Sequence, residues 1–306
     1  MNYMLKTDLQ DTNEYRFSQK HINKYLKRFI DQDQACQDMI NQSTALLEQW
    51  LQQDFYPSKN ARLQAVKQLD LRELCSQILV CTAYFQKPEL FTSVTAQVAH
   101  HLDFDDKKDQ IQTIAEIMSV MAHTKPFILS KASAQASLML ESALSLPQNL
   151  ISAIDRSTYL PPMVCPPNPV TNNFESGYRT FNDCVVLGKG NGHTGDLALD
   201  VINTQNNVEL KLDLEFLCSV EEEPVFEIDT IEKHQNWWQF KRESYCMYTM
   251  IARQGNRFWL TNKVDKRGRL YSQGYHITTQ GTPFKKAMIE LANEEIVEGV
   301  PNDFKR

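Results

Sequence analysis

In the first half of the chain, apolar residues recur at helical spacing over residues 15–30, 35–55, 61–85, 107–122 and 131–146. That period predicts amphipathic helices. Pro57, Pro88, Pro126 and Pro147 fall between these stretches, where helices should end. Glycine sharpens the contrast between the two halves, because all ten glycines lie at or after Gly177. A stretch without glycine lacks the residue that tight hairpin turns favour. Residues 1–155 are therefore expected to form a helical domain.

Beyond residue 155 the pattern changes. Residues 156–228 read as a proline-rich linker and a β-hairpin region, with strands predicted over 184–187 and 208–214. A helix is predicted over 231–250, a strand rich in apolar and β-branched residues over 258–264, and a short helix over 285–291. The expected class is α+β: a helical N-terminal domain, then a smaller mixed β-hairpin and helix region over 156–228 and 229–306.

Composition narrows the class. A chain of 306 residues with 42% apolar residues has enough material for about two globular domains. The first residues, MNYMLKTDLQ, carry charge and no apolar run, so no secretory signal is expected there. The longest apolar stretch, around 78–85, is too short to span a bilayer, so no membrane role is expected. Seven cysteines without a Cys-x-x-Cys pair suit buried thiols in a reducing cytoplasm, not a disulfide framework or a zinc site.

Charge is distributed unevenly. Residues 241–286 hold ten Lys and Arg against Glu243 and Asp265, a balance of +8 in a chain of net −6. Such a window is either a surface for a polyanion or a solvated basic face. At its centre lies the run Val264, Asp265, Lys266, Arg267, Gly268, Arg269, Leu270 and Tyr271, followed by Gln280-Gly281 and Lys285-Lys286. Gly268 allows a turn that a side chain would forbid. Arg269 can grip a phosphate bidentately, Lys263, Lys266, Arg267, Lys285 and Lys286 add charge, and Tyr271 offers a ring to sugar or base. Asp265 is expected to be a structural acceptor that orients an arginine or caps the turn, with Gln280 and Gly281 as structural partners. Over 231–250, Trp237, Trp238, Phe240, Lys241, Arg242 and Tyr245 interleave basic and aromatic residues, a pattern of core packing or of sugar-phosphate contact.

Other features carry less. The loop from Gly188 to Gly195 has its Gly, Lys and Thr in the wrong order for a phosphate loop and reads as a hairpin loop, in which Lys189 and His193 remain available to nucleic acid. His100-His101 with Asp103, Asp105 and Asp106 reads as helix-end solvation, and Glu221-Glu222-Glu223 as a solvated loop.

The run Asp265, Gly268, Arg269, Tyr271, Gln280, Gly281 and Lys286 resembles the Asp-x-x-Gly-Arg-x-Tyr, Gln-Gly and lysine pattern of single-subunit RNA polymerases, the phage and mitochondrial type. Two further stretches are similar to that family. Pro161 through Pro169 resembles its Pro-Met-x-x-Pro-Pro-x-Pro-Trp run, with Val170 at the Trp position, and Asn203, Gln205 and Asn206 match a helix start that again lacks its Trp. The resemblance implies, within 229–306, a palm-edge element that touches template DNA and the RNA–DNA hybrid and a reduced thumb formed by the helix predicted over 231–250. The family's catalytic carboxylates lie beyond the last residue of this sequence. The implied likeness is to the small, N-terminal subunit of the heterodimeric polymerases of N-four-like bacteriophages, with Mg²⁺ and its aspartates expected on a second polymerase subunit and helper proteins as further partners in promoter opening. This chain alone is expected to be inactive. The alternative is a stand-alone nucleic-acid-binding or transcription-regulatory protein, and a third reading is a helical scaffold whose basic stripe meets an acidic protein.

Overall fold

The computed structural model describes residues 3–131, 137–188 and 191–293. They divide into two compact units, one of residues 19–158 and one built from residues up to Ser18 and from Tyr159 onward. The opening helix, α1 (Tyr3–Phe17), thus belongs with the C-terminal residues and not with the helices that come after it. Its Glu14 explains why. That buried carboxylate accepts the Arg179 amide at 3.0 Å, the Thr180 amide at 2.7 Å and the Thr180 hydroxyl at 2.6 Å. The apolar pattern predicts a helix only from residue 15, so it misses α1, and the helix expected over 15–30 is broken at Ser18.

The unit of residues 19–158 contains α2 (Gln19–Gln32), α3 (Gln34–Leu51), α4 (Pro57–Val66), α5 (Leu71–Thr82), β1 (Glu89–Leu90), α6 (Phe91–Val98), α7 (Lys107–Met121), β2 (Phe127–Lys131), β3 (Leu138–Ser142) and α8 (Gln148–Arg156). Ile22, Leu26 and Ile30 of α2, Ile40, Leu47 and Leu51 of α3, and Ile114, Ile117, Met118 and Met121 of α7 bury one face of each helix. Asp33, Asp70 and Asp106 cap α3, α5 and α7 by accepting backbone N–H groups of the first turn. Asp106, read from sequence within an acidic cluster, is thus the start signal of α7. Pro57 sits in the first turn of α4, where its missing N–H is not needed.

The helix predicted over 131–146 is replaced by strand at residues 131 and 138–142, while residues 132–136 of that prediction lie outside the described residues. β2 and β3 pair antiparallel with Leu129 opposite Leu140, and β3 also pairs with β1, giving the order β1-β3-β2. Leu138 and Leu140 alternate at period two as well as fitting a helix, and Phe127 and Leu140 enter the core from the sheet. Cross-strand packing decided between the two periods. Residues 19–158 are therefore helical with a small sheet.

The second unit adds α9 (Leu199–Asn206), β4 (Leu210–Leu212), α10 (Leu214–Ser219), α11 (Ile231–Arg253), β5 (Asn262–Val264), β6 (Leu270–Ser272), α12 (Pro283–Ala287) and β7 (Ile289–Leu291) to α1. β4 pairs antiparallel with β7, and on its other side Leu210 exchanges backbone bonds with Phe258. The stretch predicted as one strand over 258–264 changes partner along its length. Phe258 pairs with Leu210, Trp259 with Met163, and residues 262–264 with β6. The predicted strand over 184–187 reduces to a single parallel bridge of Val186 with Val264 between bends, with Val264 N–H donating to the Val185 carbonyl and Leu187 N–H to that of Val264, both at 2.8 Å. The predicted strand over 208–214 shortens to β4, because Asp213 caps α10 through the Phe216 amide. The helix predicted over 285–291 gives way at Met288, whose fully buried side chain joins the core. Among the described residues no helix is long and apolar enough to cross a membrane.

Candidate nucleic-acid interface

The motif stretches meet on one scaffold. The Asn203 carboxamide accepts the Val170 amide at 2.8 Å and donates to the Val170 carbonyl at 2.9 Å, so α9 grips the proline-rich run. The Asn206 oxygen accepts the Asn262 amide at 2.8 Å and its side-chain nitrogen at 3.0 Å, fixing the start of β5. Gly177 lies where these parts converge: a Cβ there would stand 2.8 Å from Pro167 Cβ and 2.9 Å from Thr261 Cγ2. Gln205, between the two asparagines in the motif, is exposed.

β5 and β6 form an antiparallel hairpin in which Lys263 faces Tyr271 and Val264 faces Leu270. Asp265 organises its turn. Oδ1 accepts the amides of Arg267 at 2.9 Å and Arg269 at 3.0 Å. Oδ2 accepts Arg269 Nε at 2.8 Å and lies 2.7 Å from its Nη2, with Arg267 Nε at 3.4 Å. The backbone N–H of Arg269, with its guanidinium, holds the Asp265 carboxyl below the usual carboxylate range. Gly268 adopts φ +79°, the left-handed region that favours glycine, and its N–H donates to the Asp265 carbonyl at 2.9 Å. Lys266, Arg267 and Arg269 project from this turn into solvent, and the Arg269 guanidinium lies 5.7 Å from the centre of the Tyr271 ring.

Gln280 secures the other edge of the hairpin. Its Oε1 accepts the Ser272 amide and its Nε2 donates to the Leu270 carbonyl, both at 3.0 Å, which is how a neighbouring strand would bond. Gly281 comes next because a Cβ there would come within 2.7 Å of Lys285 Cδ.

Four of the cations in the basic window are engaged elsewhere. Lys263 is paired with Asp183 at 2.5 Å, Lys241 with Glu221 at 3.0 Å and Arg257 with Glu209 at 3.0 Å. Lys285 is buried: its Nζ donates to the Tyr275 carbonyl at 2.5 Å and lies 4.8 Å and 5.1 Å from the Tyr275 and Phe240 ring centres. Burial pulls the Lys285 ammonium below its ordinary value, while Glu222 opposes that shift. The expected surface role of Lys263 and Lys285 is thus corrected, since helix phase and the Asp183 partner are invisible to a charge count. Lys286 is exposed.

The Glu221–Glu223 stretch also divides. Glu222 is buried and held above the usual carboxylate range by desolvation, whereas Glu221 and Glu223 are exposed. His193 is exposed in a loop that Asn173 pins by donating to the His193 and Gly195 carbonyls at 2.8 and 2.7 Å. Lys189 lies outside the described residues. Among the described residues no three His, Cys, Asp or Glu side chains gather where they would hold a metal ion, and Asp265 is occupied by its own turn.

No family model matches the chain. Over 145 residues it is 29% identical to a probable DNA-directed RNA polymerase of Gelasinospora sp. (strain G114). The match covers 42% of this chain and 17% of that protein. The chain is similar to part of an RNA polymerase. The hairpin presents Lys266, Arg267 and Arg269 at its turn, with the Tyr271 ring beside Arg269.

Proposed function

We propose that this chain is the non-catalytic part of a split DNA-directed RNA polymerase of the single-subunit type, as in N-four-like phages. In this reading Arg269, Arg267, Lys266, Tyr271 and Lys286 hold template DNA and the RNA–DNA hybrid beside a catalytic centre on a second chain. The observation that carries the reading is the aim of Arg269 by Asp265 on a hairpin whose strand β6 is bonded on one side to β5 and on the other to Gln280. A guanidinium held in place loses little freedom when it grips a phosphate oxygen, and its fork matches phosphate geometry. The partial likeness to a probable RNA polymerase supports the choice of polymerase over other users of nucleic acid.

Phosphoryl transfer depends on positioning and on electrostatic stabilisation, which two chains can divide between them. Mg²⁺ and the aspartates that bind it would come from the second chain, where the ions would stabilise the attacking and leaving oxygens. The part of this chain is to hold the strands in register.

The test is to express this chain with and without the product of the adjacent reading frame and to assay Mg²⁺-dependent RNA synthesis on a single-stranded template. The proposal expects synthesis only with both chains. Synthesis by this chain alone contradicts it. Inactivity of the pair, with nucleic-acid binding kept by this chain, would favour the stand-alone binding protein.

A further inference from the structure

A buried lysine supports the hairpin on which the proposed function depends. Lys285 is 8% exposed, and its side chain meets both ends of the segment that carries Gln280. Its stem lies against Gly281, where a Cβ would stand 2.7 Å from Lys285 Cδ and 2.9 Å from Lys285 Cβ. Its Nζ donates to the Tyr275 carbonyl at 2.5 Å. Between these two holds lies Thr278, whose hydroxyl is 3.0 Å from that of Ser272 and accepts the Gln280 amide at 3.2 Å. Gln280 then bonds Ser272 and Leu270 of β6. Residues 275–281 are thus clamped to Lys285 on one side and to β6 on the other.

The clamp uses charge where apolar packing would serve stability as well. Taking an ammonium out of water is expensive. Here the cost is offset by the Tyr275 carbonyl, by the rings of Phe240 and Tyr275, and by attraction to Glu222, itself 5% exposed. Replacing a buried charge pair by neutral side chains of similar size is often neutral or stabilising. What neutral side chains lose is direction: a methionine fills the space of the stem but offers the Tyr275 carbonyl no donor. We propose that Lys285 is a positioning residue for the hairpin, acting through Gln280, and that with Glu222 it sets the geometry in which Arg267, Arg269 and Tyr271 meet nucleic acid. The inference rests on the nucleic-acid reading of the hairpin and adds to it a residue that orients the site without touching a phosphate.

The experiment compares the wild-type chain with Glu222→Gln/Lys285→Met, with Gln280→Ala and with the triple variant. Three quantities are read in each: the melting temperature, hydrogen exchange at the Ser272 amide, and affinity for an RNA–DNA hybrid as salt is varied. Glu222→Gln/Lys285→Met should melt at or above the wild-type temperature. Its Ser272 amide should nevertheless exchange about tenfold faster, because Gln280 is no longer held against it. Hybrid affinity should fall about threefold or more at the wild-type salt slope, since no phosphate contact is lost. Adding Gln280→Ala should speed exchange no further, the mark of two groups acting through one. Wild-type exchange at Ser272 would overturn the inference, as would additive effects in the triple variant. So would faster exchange accompanied by a lower melting temperature, which marks a merely structural role, or a reduced salt slope, which would make Lys285 a phosphate contact. If the wild-type chain binds no hybrid, the functional reading falls, while exchange at Ser272 still decides whether Lys285 positions the hairpin.

Discussion

Asp265 holds Arg269 with both of its oxygens: Oδ1 accepts the Arg269 amide and Oδ2 the guanidinium. One oxygen builds the turn and the other aims the side chain, so the shape of the hairpin and the direction of its charge are set by a single carboxylate. Asp265→Ala should therefore weaken hybrid binding even though it raises the net positive charge of the turn. A gain in affinity on titration with labelled hybrid would show that charge alone matters.

Gln280 acts on the strand and carries no charge. Gln280→Ala should speed hydrogen exchange at the Ser272 amide, which loses its acceptor, while leaving the salt dependence of hybrid binding at the wild-type slope. A changed slope would mean that Gln280 contacts the nucleic acid itself.

Gly268 sits at φ +79°, and a Cβ on it would meet no atom within 4 Å, so Gly268→Ala brings no clash and only backbone strain. The expected cost is about 1 kcal/mol in urea unfolding. Gly268→Asn should cost less, because asparagine tolerates this region better.

Glu14 is the anchor of α1, and Glu14→Ala would remove the carboxylate that accepts the part-buried Arg179 and Thr180 amides. A loss on the order of 3 kcal/mol is expected in denaturant unfolding. A neutral result would mean that α1 is dispensable to its unit.

His276 is buried against Ser244, with Nδ1 2.8 Å from the hydroxyl. Desolvation, with Lys285 nearby, lowers it from its ordinary 6.5 to about 4. The unfolded chain then binds the extra proton first as pH falls. Stability from this group is complete above about pH 6.5 and is lost progressively toward pH 4, a total of roughly 3 kcal/mol. Urea unfolding at pH 7 and pH 5 should show a loss in the wild type that is smaller in His276→Asn.

The parts of this fold that were legible are those set by local chemistry. The helices of the glycine-free half, though not the break that Asp70 makes within 61–85, α11 and the Asp265–Tyr271 turn arise from spacing and turn residues. What was hidden depended on distant partners. Leu138 and Leu140 fit two periods until β1 and β2 chose one, and Glu14 names no partner until residues 179–180 reach it. Lys263 and Lys285 count as surface charge until Asp183 and the rings of Phe240 and Tyr275 enclose them. Asn203 and Asn206 stood out in the sequence, but their grip on Val170 and Asn262 is a fact of packing.

The most direct test of the central claim is the salt dependence of RNA–DNA hybrid binding by the wild-type chain and by Arg267→Ala/Arg269→Ala. If the hairpin holds phosphates, the double variant should bind more weakly and its slope of log affinity against log salt should fall by about two. Equal affinity and equal slope would contradict the account, and the basic hairpin would then be a solvated face.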